Sequence, residues 1–244
     1  MEPLIQVFNL RYRYDDGTQA LDGVNFELRT GETVALFGPN GSGKTTFLLH
    51  LVGLLEGGGT IEVCGMRLER RTRLLIRQKV GILFQDSDDQ LFMPTVFDDV
   101  AFGPLNLGLP PDQVNRKVRQ CLELVGMEAA AAKAPYHLSA GEKRRAALAG
   151  VLAMDPEILV LDEPGTFLDP PGRAALLEIL RRLPQAKIIV THDVDLARAL
   201  ADRAVFFTRG RIVASGPVEE IVDRFGWASA DQTSCVSLRP PRLP

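Results

Sequence analysis

The sequence has few cysteines, few histidines and no excess of basic charge. Its 244 residues include three cysteines, Cys64, Cys121 and Cys235, which stand far apart and form no CxxC or metal-binding spacing. This odd, scattered set excludes a disulfide-stapled fold and favours a reducing compartment. Lys and Arg total 28 against 31 Asp and Glu, which gives a net charge of −3. Because there is no basic surplus, nucleic acid is not an expected partner.

Long hydrophobic runs are also missing. A membrane-spanning helix needs about 18 or more apolar residues, and the longest tempting run, from Ala146 to Met154, is far shorter. The first residues, Met1-Glu2-Pro3, are acidic and lack the pattern of a signal peptide. We therefore expect a soluble, cytoplasmic chain. If it works at a membrane, it does so peripherally, by binding a protein already there.

Four short runs rich in Val, Ile and Leu suit strands that are buried on both faces of a parallel sheet. They are Thr33–Phe37, Val80–Phe84, Glu157–Leu161 and Lys187–Thr191. Helical patterns lie between them, at 114–125, 141–154 and 172–183. This alternation predicts an α/β fold with a mainly parallel sheet core.

Two strand pairs have the signals of antiparallel hairpins. The alternating segment Ile5–Tyr14 is followed by the turn Asp15-Asp16-Gly17, and Val24–Arg29 is its expected partner. Near the other end, Ala204–Thr208 and Ile212–Ala214 flank a turn at Arg209-Gly210. The first pair predicts an antiparallel β part at the N-terminus.

The chain is expected to form one domain over residues 1–227, followed by a tail over 228–244. Within the domain, the stretch 87–154 is helical and loop-like and carries several prolines, which indicates a helical insertion into the sheet core. The tail contains Ser, Pro and Arg without periodicity, which favours partial disorder.

A glycine-rich loop carries the clearest chemical signal. Residues 38–45 match G-x-x-x-x-G-K-[ST], follow the predicted strand Thr33–Phe37 and precede a helical run. This context marks a P-loop, whose backbone N–H groups and helix N-terminus bind phosphate. Lys44 is expected to reach the β- and γ-phosphates, and the Thr45 hydroxyl to ligate Mg²⁺. The predicted ATP-binding residues here are Gly38, Pro39, Asn40, Gly41, Ser42, Gly43, Lys44, Thr45 and Thr46.

Two carboxylates follow the run Glu157–Leu161. Asp162 is expected to hold Mg²⁺, as the Walker B aspartate of P-loop ATPases does. Glu163 is expected to polarise the attacking water as a general base. Two carboxylates can also simply end a strand at the surface, but their pairing with a P-loop favours the catalytic interpretation.

Together these residues resemble the ATP-binding subunits of ABC transporters, over about residues 4 to 225. The segment 138–142, Leu-Ser-Ala-Gly-Glu, is similar to the LSGGQ signature of that family. The resemblance implies a P-loop ATPase of the ABC type that binds and hydrolyses ATP with Mg²⁺. It also implies that Ser139 and Gly141 contact the γ-phosphate of ATP held by the opposite subunit of a dimer.

Four further positions match by the same resemblance. Gln85 falls at the Q-loop glutamine, which senses Mg²⁺ and water, and Asp169 falls at the D-loop aspartate. His192 falls at the switch histidine that contacts the γ-phosphate, although a lone histidine at a strand end is otherwise an ordinary surface residue. Tyr14 falls where an aromatic residue stacks on adenine, with Tyr12 as a near competitor.

Two positions depart from the family pattern. Ala140 replaces a glycine of the signature, and Phe167 lies in a D-loop that reads Gly-Thr-Phe-Leu-Asp at 165–169. The methyl group of Ala140 either crowds the closed site or is tolerated, and Phe167 could change how two subunits communicate. Neither position belongs to the catalytic set, so ATP hydrolysis is still expected.

The segment 84–109 resembles a particular branch of the family, the ATPase subunits of energy-coupling factor importers, including cobalt and nickel transporters. It reads FQDSDDQLF, PTV and DVAFGPLNLGL at 84–92, 94–96 and 99–109. The resemblance implies a pair of ATPases, either a homodimer or a heterodimer with a related chain. The pair would drive a transmembrane coupling subunit and a substrate-capturing membrane protein. The substrate, a transition-metal ion or a vitamin, stays open.

Apolar side chains of this segment adjoin Gln85. An apolar groove with a polar rim could receive a short helix from a membrane partner. The alternative is that the same side chains form the core of the helical insertion. They are Leu91, Phe92, Met93, Phe97, Phe102 and Leu105.

Two other function classes stay open. One is a soluble ABC ATPase with a mechanical or DNA-associated role, against which Lys44 and Ser139 lie too close in sequence for a long coiled-coil arm. The other is a P-loop kinase, which would not need the segment 138–142. Release of phosphate without an acceptor would separate an ATPase from a kinase.

Overall fold

The structure, a computed structural model, describes residues 3–227, and the predicted tail 228–244 lies outside the described residues. The strands are β1 (Pro3–Arg13), β2 (Gln19–Arg29), β3 (Thr33–Phe37), β4 (Gly58–Val63), β5 (Met66–Arg67), β6 (Val80–Leu83), β7 (Ile158–Asp162), β8 (Ala186–Val190), β9 (Arg203–Thr208) and β10 (Arg211–Gly216). The helices are α1 (Lys44–Leu51), α2 (Arg73–Lys79), α3 (Val96–Asn106), α4 (Pro111–Leu124), α5 (Ala140–Leu152), α6 (Pro170–Arg182), α7 (Val194–Leu200) and α8 (Val218–Phe225).

A six-stranded sheet in the order β10-β9-β3-β8-β7-β6 forms the centre of the fold. Strands β9, β3, β8, β7 and β6 run parallel, and β10 pairs antiparallel with β9. Strands β3, β7 and β8 are buried along their whole length, which explains their unbroken apolar runs. The predicted α/β fold with a mainly parallel core is confirmed.

A second, four-stranded sheet is antiparallel, in the order β2-β1-β4-β5. Strand β2 begins at Gln19, so the predicted start at Val24 was wrong. Strands β4 and β5 were not predicted, because the glycines at the start of β4 are a loop signal. At Gly59, φ is 101° and a Cβ would lie 2.6 Å from the carbonyl oxygens of Phe8 and Asn9. Glycine is therefore what lets β4 lie against β1.

Helices α3, α4 and α5 occupy the proline-containing stretch. Helix α4 buries Val114, Val118 and Leu122 on one face, as the spacing predicts, and Gly126 follows it with φ 65°. Helices α2, α7 and α8 were not predicted, because seven or eight residues are too few to show a clear helical period. That the span 87–154 behaves as a separate insertion stays a prediction.

The hydrophobic core lies on both faces of the six-stranded sheet. In β7, Val160 packs with α1 and the antiparallel sheet, whereas Leu161 packs with α3, α4, α5 and α6. Packing on both faces of the sheet therefore fixes the positions of the central strands and of their carboxyl ends. Among residues 3–227, no helix combines the length and the apolar character needed to cross a membrane.

Candidate functional site

The carboxyl ends of three neighbouring strands meet at one edge of the six-stranded sheet. The glycine-rich loop follows β3, Asp162 ends β7, and His192 lies just past β8. Because β3, β8 and β7 are adjacent and parallel, their ends open into one cleft. The cleft has a volume of about 330 Å³ and is lined by Tyr14, Thr18, Gln19, Ala20, Asn40, Gly41, Ser42, Gly43, Lys44, Thr45, Thr46, Gln85, Asp162, Glu163, Val190 and His192.

The glycine-rich loop is held against neighbouring backbone on both sides. A Cβ at Gly38 would lie 2.2 Å from the carbonyl oxygen of Phe207, and one at Gly43 would lie 2.4 Å from that of Ala20. Both glycines also have positive φ, 144° and 105°. Only glycine fits at either position, so the loop backbone is fixed in the shape that exposes its N–H groups to phosphate.

Lys44 is a buried cation at the base of this loop. Its Nζ donates hydrogen bonds to the carbonyl oxygens of Gly38, at 2.6 Å, and Pro39, at 3.1 Å. Burial lowers the pKa of Lys44, against the opposing effect of the Glu163 and Asp162 carboxylates. A poorly hydrated ammonium group gains strongly from an anionic ligand, so the cleft favours phosphate.

The hydroxyl of Ser42 lies in the same loop. The residue is 3% exposed, and its Oγ has no hydrogen-bond partner among the described residues. Leaving a buried hydroxyl unpaired is costly. A phosphate oxygen in the cleft would supply the missing partner, which is an independent sign that the loop is shaped for a ligand.

Two oxygen ligands for a metal ion lie together at the end of β7. The hydroxyl of Thr45 donates to Oδ2 of Asp162 at 3.2 Å, and Gln85 lines the same cleft. Burial raises the pKa of Asp162, so the carboxylate would gain from a nearby cation. Residues 3–227 contain no group of three or more His, Cys, Asp or Glu able to hold a metal. These oxygens instead suit Mg²⁺, which keeps several waters and binds few protein ligands.

Glu163 has the environment of a general base. Burial raises its pKa from the ordinary value to about 7, with the backbone N–H of His192 opposing. Its Oε2 accepts that N–H at 3.3 Å, while Oε1 accepts no hydrogen bond within the described chain. The residue also has a left-handed backbone, φ 47°, a costly conformation that clusters at functional sites.

His192 faces the same carboxylate. Its Nε2 lies 3.3 Å from Oε1 of Glu163, without the alignment of a hydrogen bond, and the side chain is 44% exposed. Burial and then the positive charge of Lys44 lower the pKa of His192. The imidazole is therefore neutral at pH 7.

The structure separates the two tyrosines that compete for the adenine position. Tyr14 lines the cleft, is 39% exposed, and its hydroxyl lies 2.9 Å from Oγ1 of Thr46. Tyr12 lies behind it, edge-to-face at a centroid distance of 5.0 Å, and packs against the core. The cleft geometry thus favours Tyr14.

Five predicted ATP-binding residues do not line this cleft. Gly38 and Pro39 lie in the glycine-rich loop and accept hydrogen bonds from Lys44, whereas Ser139, Gly141 and Asp169 lie on other elements. Ser139 is exposed and caps α5, where its Oγ accepts the N–H of Glu142 at 3.3 Å. Asp169 caps α6 by accepting the N–H of Gly172 at 2.9 Å. Gly141 lies in the first turn of α5. Ser139, Gly141 and Asp169 thus lie apart from the cleft that Lys44 lines. This is the placement expected of residues that contact ATP bound by a second chain.

Arg144 is a residue that sequence reasoning missed. It is 3% exposed, and its guanidinium donates from α5 to the carbonyl oxygens of Phe84 and Gln85, the latter at 2.6 Å. It therefore ties the helix that begins at the signature segment to the residues that enter the cleft from β6. The signal in the sequence is weak, because Arg144 stands within the charged run 142–145 and differs from its neighbours only in sharing a helix face with Ala147, Leu148 and Val151.

Comparison with known proteins decides the family. A family model described as ABC transporter matches residues 21–166. The chain belongs to the ABC transporter family.

Individual relatives agree with this assignment. The energy-coupling factor transporter ATP-binding protein EcfA of Methanothermobacter thermautotrophicus is 46% identical over 245 residues, which cover 98% of this chain and 77% of that protein. The structure of cbiO1 from Clostridium perfringens, part of the ABC transporter complex cbiONQ, has a TM-score of 0.83 at 36% identity. It covers 91% of this chain and 92% of its own. A dimeric, post-hydrolysis structure of the ATP-binding cassette MJ0796, bound to ADP and Pi, has a TM-score of 0.79 at 26% identity, covering 88% and 98%.

The family membership confirms two predictions, the P-loop ATPase fold of the ABC type and the hydrolysis of ATP. ABC ATPases bind ATP, generally with Mg²⁺, form dimers and work with transmembrane components. The roles of individual residues in this chain stay predictions and are taken up next.

Proposed function

We propose that this ABC ATPase powers the import of a small substrate, either a transition-metal ion such as cobalt or nickel or a vitamin. The likeness to EcfA and to cbiO1 supports import. The observation that carries the proposal is an apolar groove that is connected to the nucleotide cleft through the backbone following β6. There, ATP-driven closure of a dimer can be passed to a transmembrane coupling subunit, which works with a substrate-capturing membrane protein. The chain would sit on the cytoplasmic face of the membrane.

The groove has a volume of about 250 Å³ and lies between β6, α3 and α5. Of the apolar residues predicted to form it, Phe97 packs against the core and does not line the groove, whereas Leu91 belongs to the core and also lines the groove. Phe92, Phe102 and Leu105 are exposed, and the rings of Phe92 and Phe102 meet edge-to-face at 5.0 Å. Exposed aromatic rings beside a groove are typical of a docking site for an apolar segment.

The groove is joined to the cleft through the backbone that follows β6. Gln90, which lines the groove, donates to the carbonyl oxygen of Ile82 at 3.0 Å and accepts the N–H of Phe84 at 2.9 Å. The next residue, Gln85, lines the nucleotide cleft. A segment seated in the groove can therefore move Gln85 through only a few contacts.

Changing the groove should break the membrane partnership while sparing hydrolysis. We expect Phe92→Asp and Phe102→Asp to lower recovery of the chain with its native membranes by about ten-fold, because a charge in an apolar interface is costly. ATPase activity of the purified variants should stay near that of the wild type. The measurement is mild-detergent affinity purification followed by mass spectrometry.

Phe8→Asp is the matched control, since Phe8 is 51% exposed on β1 but does not line the groove; it should co-purify normally. A wild-type chain that brings no multi-span membrane protein, or brings DNA-bound proteins, would contradict the import proposal and favour a soluble ABC ATPase. The co-purified substrate-capturing protein would distinguish a metal ion from a vitamin.

In the proposed reaction, the chain's own residues position ATP and activate water. The loop backbone, Ser42 and Lys44 bind the phosphates, and Tyr14 stacks on adenine. Glu163 accepts a proton from the water that attacks the γ-phosphate, and neutral His192 contacts that phosphate. Thr45, Gln85 and Asp162 would hold Mg²⁺, which when bound neutralises phosphate charge.

The pH dependence should report Glu163. A base must be deprotonated to act, so kcat/KM should rise with pH through about 7, the pKa to which burial raises Glu163, and then level off. Because burial lowers the pKa of His192, its titration lies on the acidic side of this limb. The measurement is kcat/KM across the neutral range; a flat profile there would count against Glu163 as the base.

A dimer would complete the site. We assign Ser139, Gly141 and Asp169 to contacts across the interface between two ATPases, because they lie outside the cleft of their own chain. Phe167 is 79% exposed with φ 64° and lies two residues before Asp169, so we assign its ring to the same interface. Whether two copies pair or a related ATPase completes the dimer is decided by the same co-purification.

A further inference from the structure

Trp227 is the only tryptophan of the chain, and it contacts His192, a residue that lines the cleft. It follows α8 directly and packs against the cluster of buried residues under α7 and α8. None of the sequence motifs includes it. Its position is nevertheless set by the way α8 ends. Its ring contacts His192, a residue of the proposed reaction.

A glycine sets the direction of the chain at the end of α8. Gly226 has φ 60°, which glycine adopts without the strain that a Cβ brings. The N–H of Gly226 donates to Asp223 at 3.3 Å, and the N–H of Trp227 donates to Val222 at 2.8 Å. This pair of bonds is the Schellman ending of a helix, and it turns Trp227 back onto the sheet.

The indole packs between the sheet and the switch histidine. Its ring meets Phe206 edge-to-face at a centroid distance of 5.4 Å and lies 6.4 Å from Phe37, the last residue of β3. The imidazole of His192 stacks on it at 5.5 Å, with 26° between the planes. Apart from this stack, the His192 ring has Oε1 of Glu163 at 3.3 Å from its Nε2, without the alignment of a hydrogen bond, so the flat face of the indole is the contact that sets the plane of the imidazole.

We propose that Trp227 is a positioning residue for hydrolysis, which holds the imidazole of His192 in the plane that faces Glu163 and the γ-phosphate. The inference rests on the proposed role of His192. A ring fixed before ATP binds does not lose rotational freedom during the reaction. Through Gly226, the position of α8 then becomes a determinant of the catalytic geometry.

The first test separates positioning from stability. Trp227→Ala should lower kcat about ten-fold and leave KM for ATP within about two-fold, because a misplaced catalytic group costs rate rather than binding. Trp227→Phe retains a flat ring and should recover most of kcat. Phe225→Ala is the matched control: it removes a different ring, which stacks on Phe206 at 3.8 Å, while keeping the Gly226 turn and the indole, so kcat should fall much less than in Trp227→Ala.

The second test needs no turnover. Because Trp227 is the only tryptophan, its fluorescence reports the stack directly, and His192→Gln should shift the emission of the nucleotide-free protein by uncovering one indole face. Unchanged emission in His192→Gln, equal loss of kcat in Trp227→Ala and Trp227→Phe, or a normal kcat in Trp227→Ala would each overturn the inference. A His192→Gln variant that hydrolyses ATP at the wild-type rate would instead overturn the proposed role of the histidine.

Discussion

Glu163→Gln should leave ATP bound but lower its hydrolysis by about a hundred-fold or more, the usual contribution of a general base. Glutamine has the same shape and can still accept the N–H of His192, so the cleft should keep its geometry. It cannot take a proton from water. The measurement is the steady-state ATPase rate beside the Kd for ATP.

The control for this change lies at the opposite end of the same strand. Glu157 precedes β7 and pairs with Lys79 away from the cleft, so Glu157→Gln should hydrolyse ATP normally. Turnover of Glu163→Gln within a few-fold of wild type would reject the general-base role. Weak ATP binding in that variant would show instead that the cleft had been damaged.

The same substitution has a defined effect on stability. The pKa of Glu163 is raised in the folded chain to about 7, so its proton is bound more tightly in the folded than in the unfolded state. Its contribution to the free energy of unfolding is fully present below the unfolded pKa and is lost as pH rises through about 7. Glu163→Gln removes this pH-dependent loss. The Tm of the variant should therefore fall less than that of the wild type as the pH is raised from mildly acidic to mildly alkaline.

Lys44→Ala should weaken ATP binding by about a hundred-fold, which corresponds to about 2.7 kcal/mol. The ammonium group is already buried and donates hydrogen bonds to the carbonyl oxygens of Gly38 and Pro39. Because it loses its water when the chain folds and not when ATP binds, its attraction to phosphate is strong. Its loss also removes a positive charge that neighbours the buried Asp162 and Glu163.

Calorimetric titration and the rise in Tm on adding ATP both measure this effect, since a ligand that binds only the folded state stabilises it by mass action. Lys79→Ala removes a lysine from outside the cleft and should keep the full rise in Tm. An unchanged Kd in Lys44→Ala would mean that the backbone of the loop binds phosphate without the lysine.

Sequence predicted which groups meet at the carboxyl edge of the six-stranded sheet, because each group follows a local signal; their catalytic roles stay predictions. The glycine-rich loop, the Asp162-Glu163 pair and His192 each follow a recognisable buried strand, and parallel strands must place such groups at one edge. The parts that were missed depend on contacts between distant segments. Arg144 and Trp227 contact residues that folding brings near them, and neither position belongs to a short motif.

Strand and helix boundaries failed where local signals conflict with tertiary contacts. The glycines that begin β4 are a loop signal, yet Gly59 is required because the backbone of β1 comes so close. The groove was similarly divided: Leu91 and Phe97 are core residues, while Phe92 and Phe102 are exposed. All four are apolar residues of one short segment, and only packing decides which side chain faces outward.

The contact between Arg144 and the carbonyl oxygens of Phe84 and Gln85 has a thermodynamic consequence. It fastens α5, which Ser139 caps, to the end of β6 that connects the groove with the cleft. Any coupling carried by this bond is reciprocal. A membrane partner that binds more tightly to the ATP-loaded chain must, by the same factor, tighten the hold of the chain on ATP. Nucleotide affinity measured on the isolated chain is then a lower limit for its value in the assembled transporter.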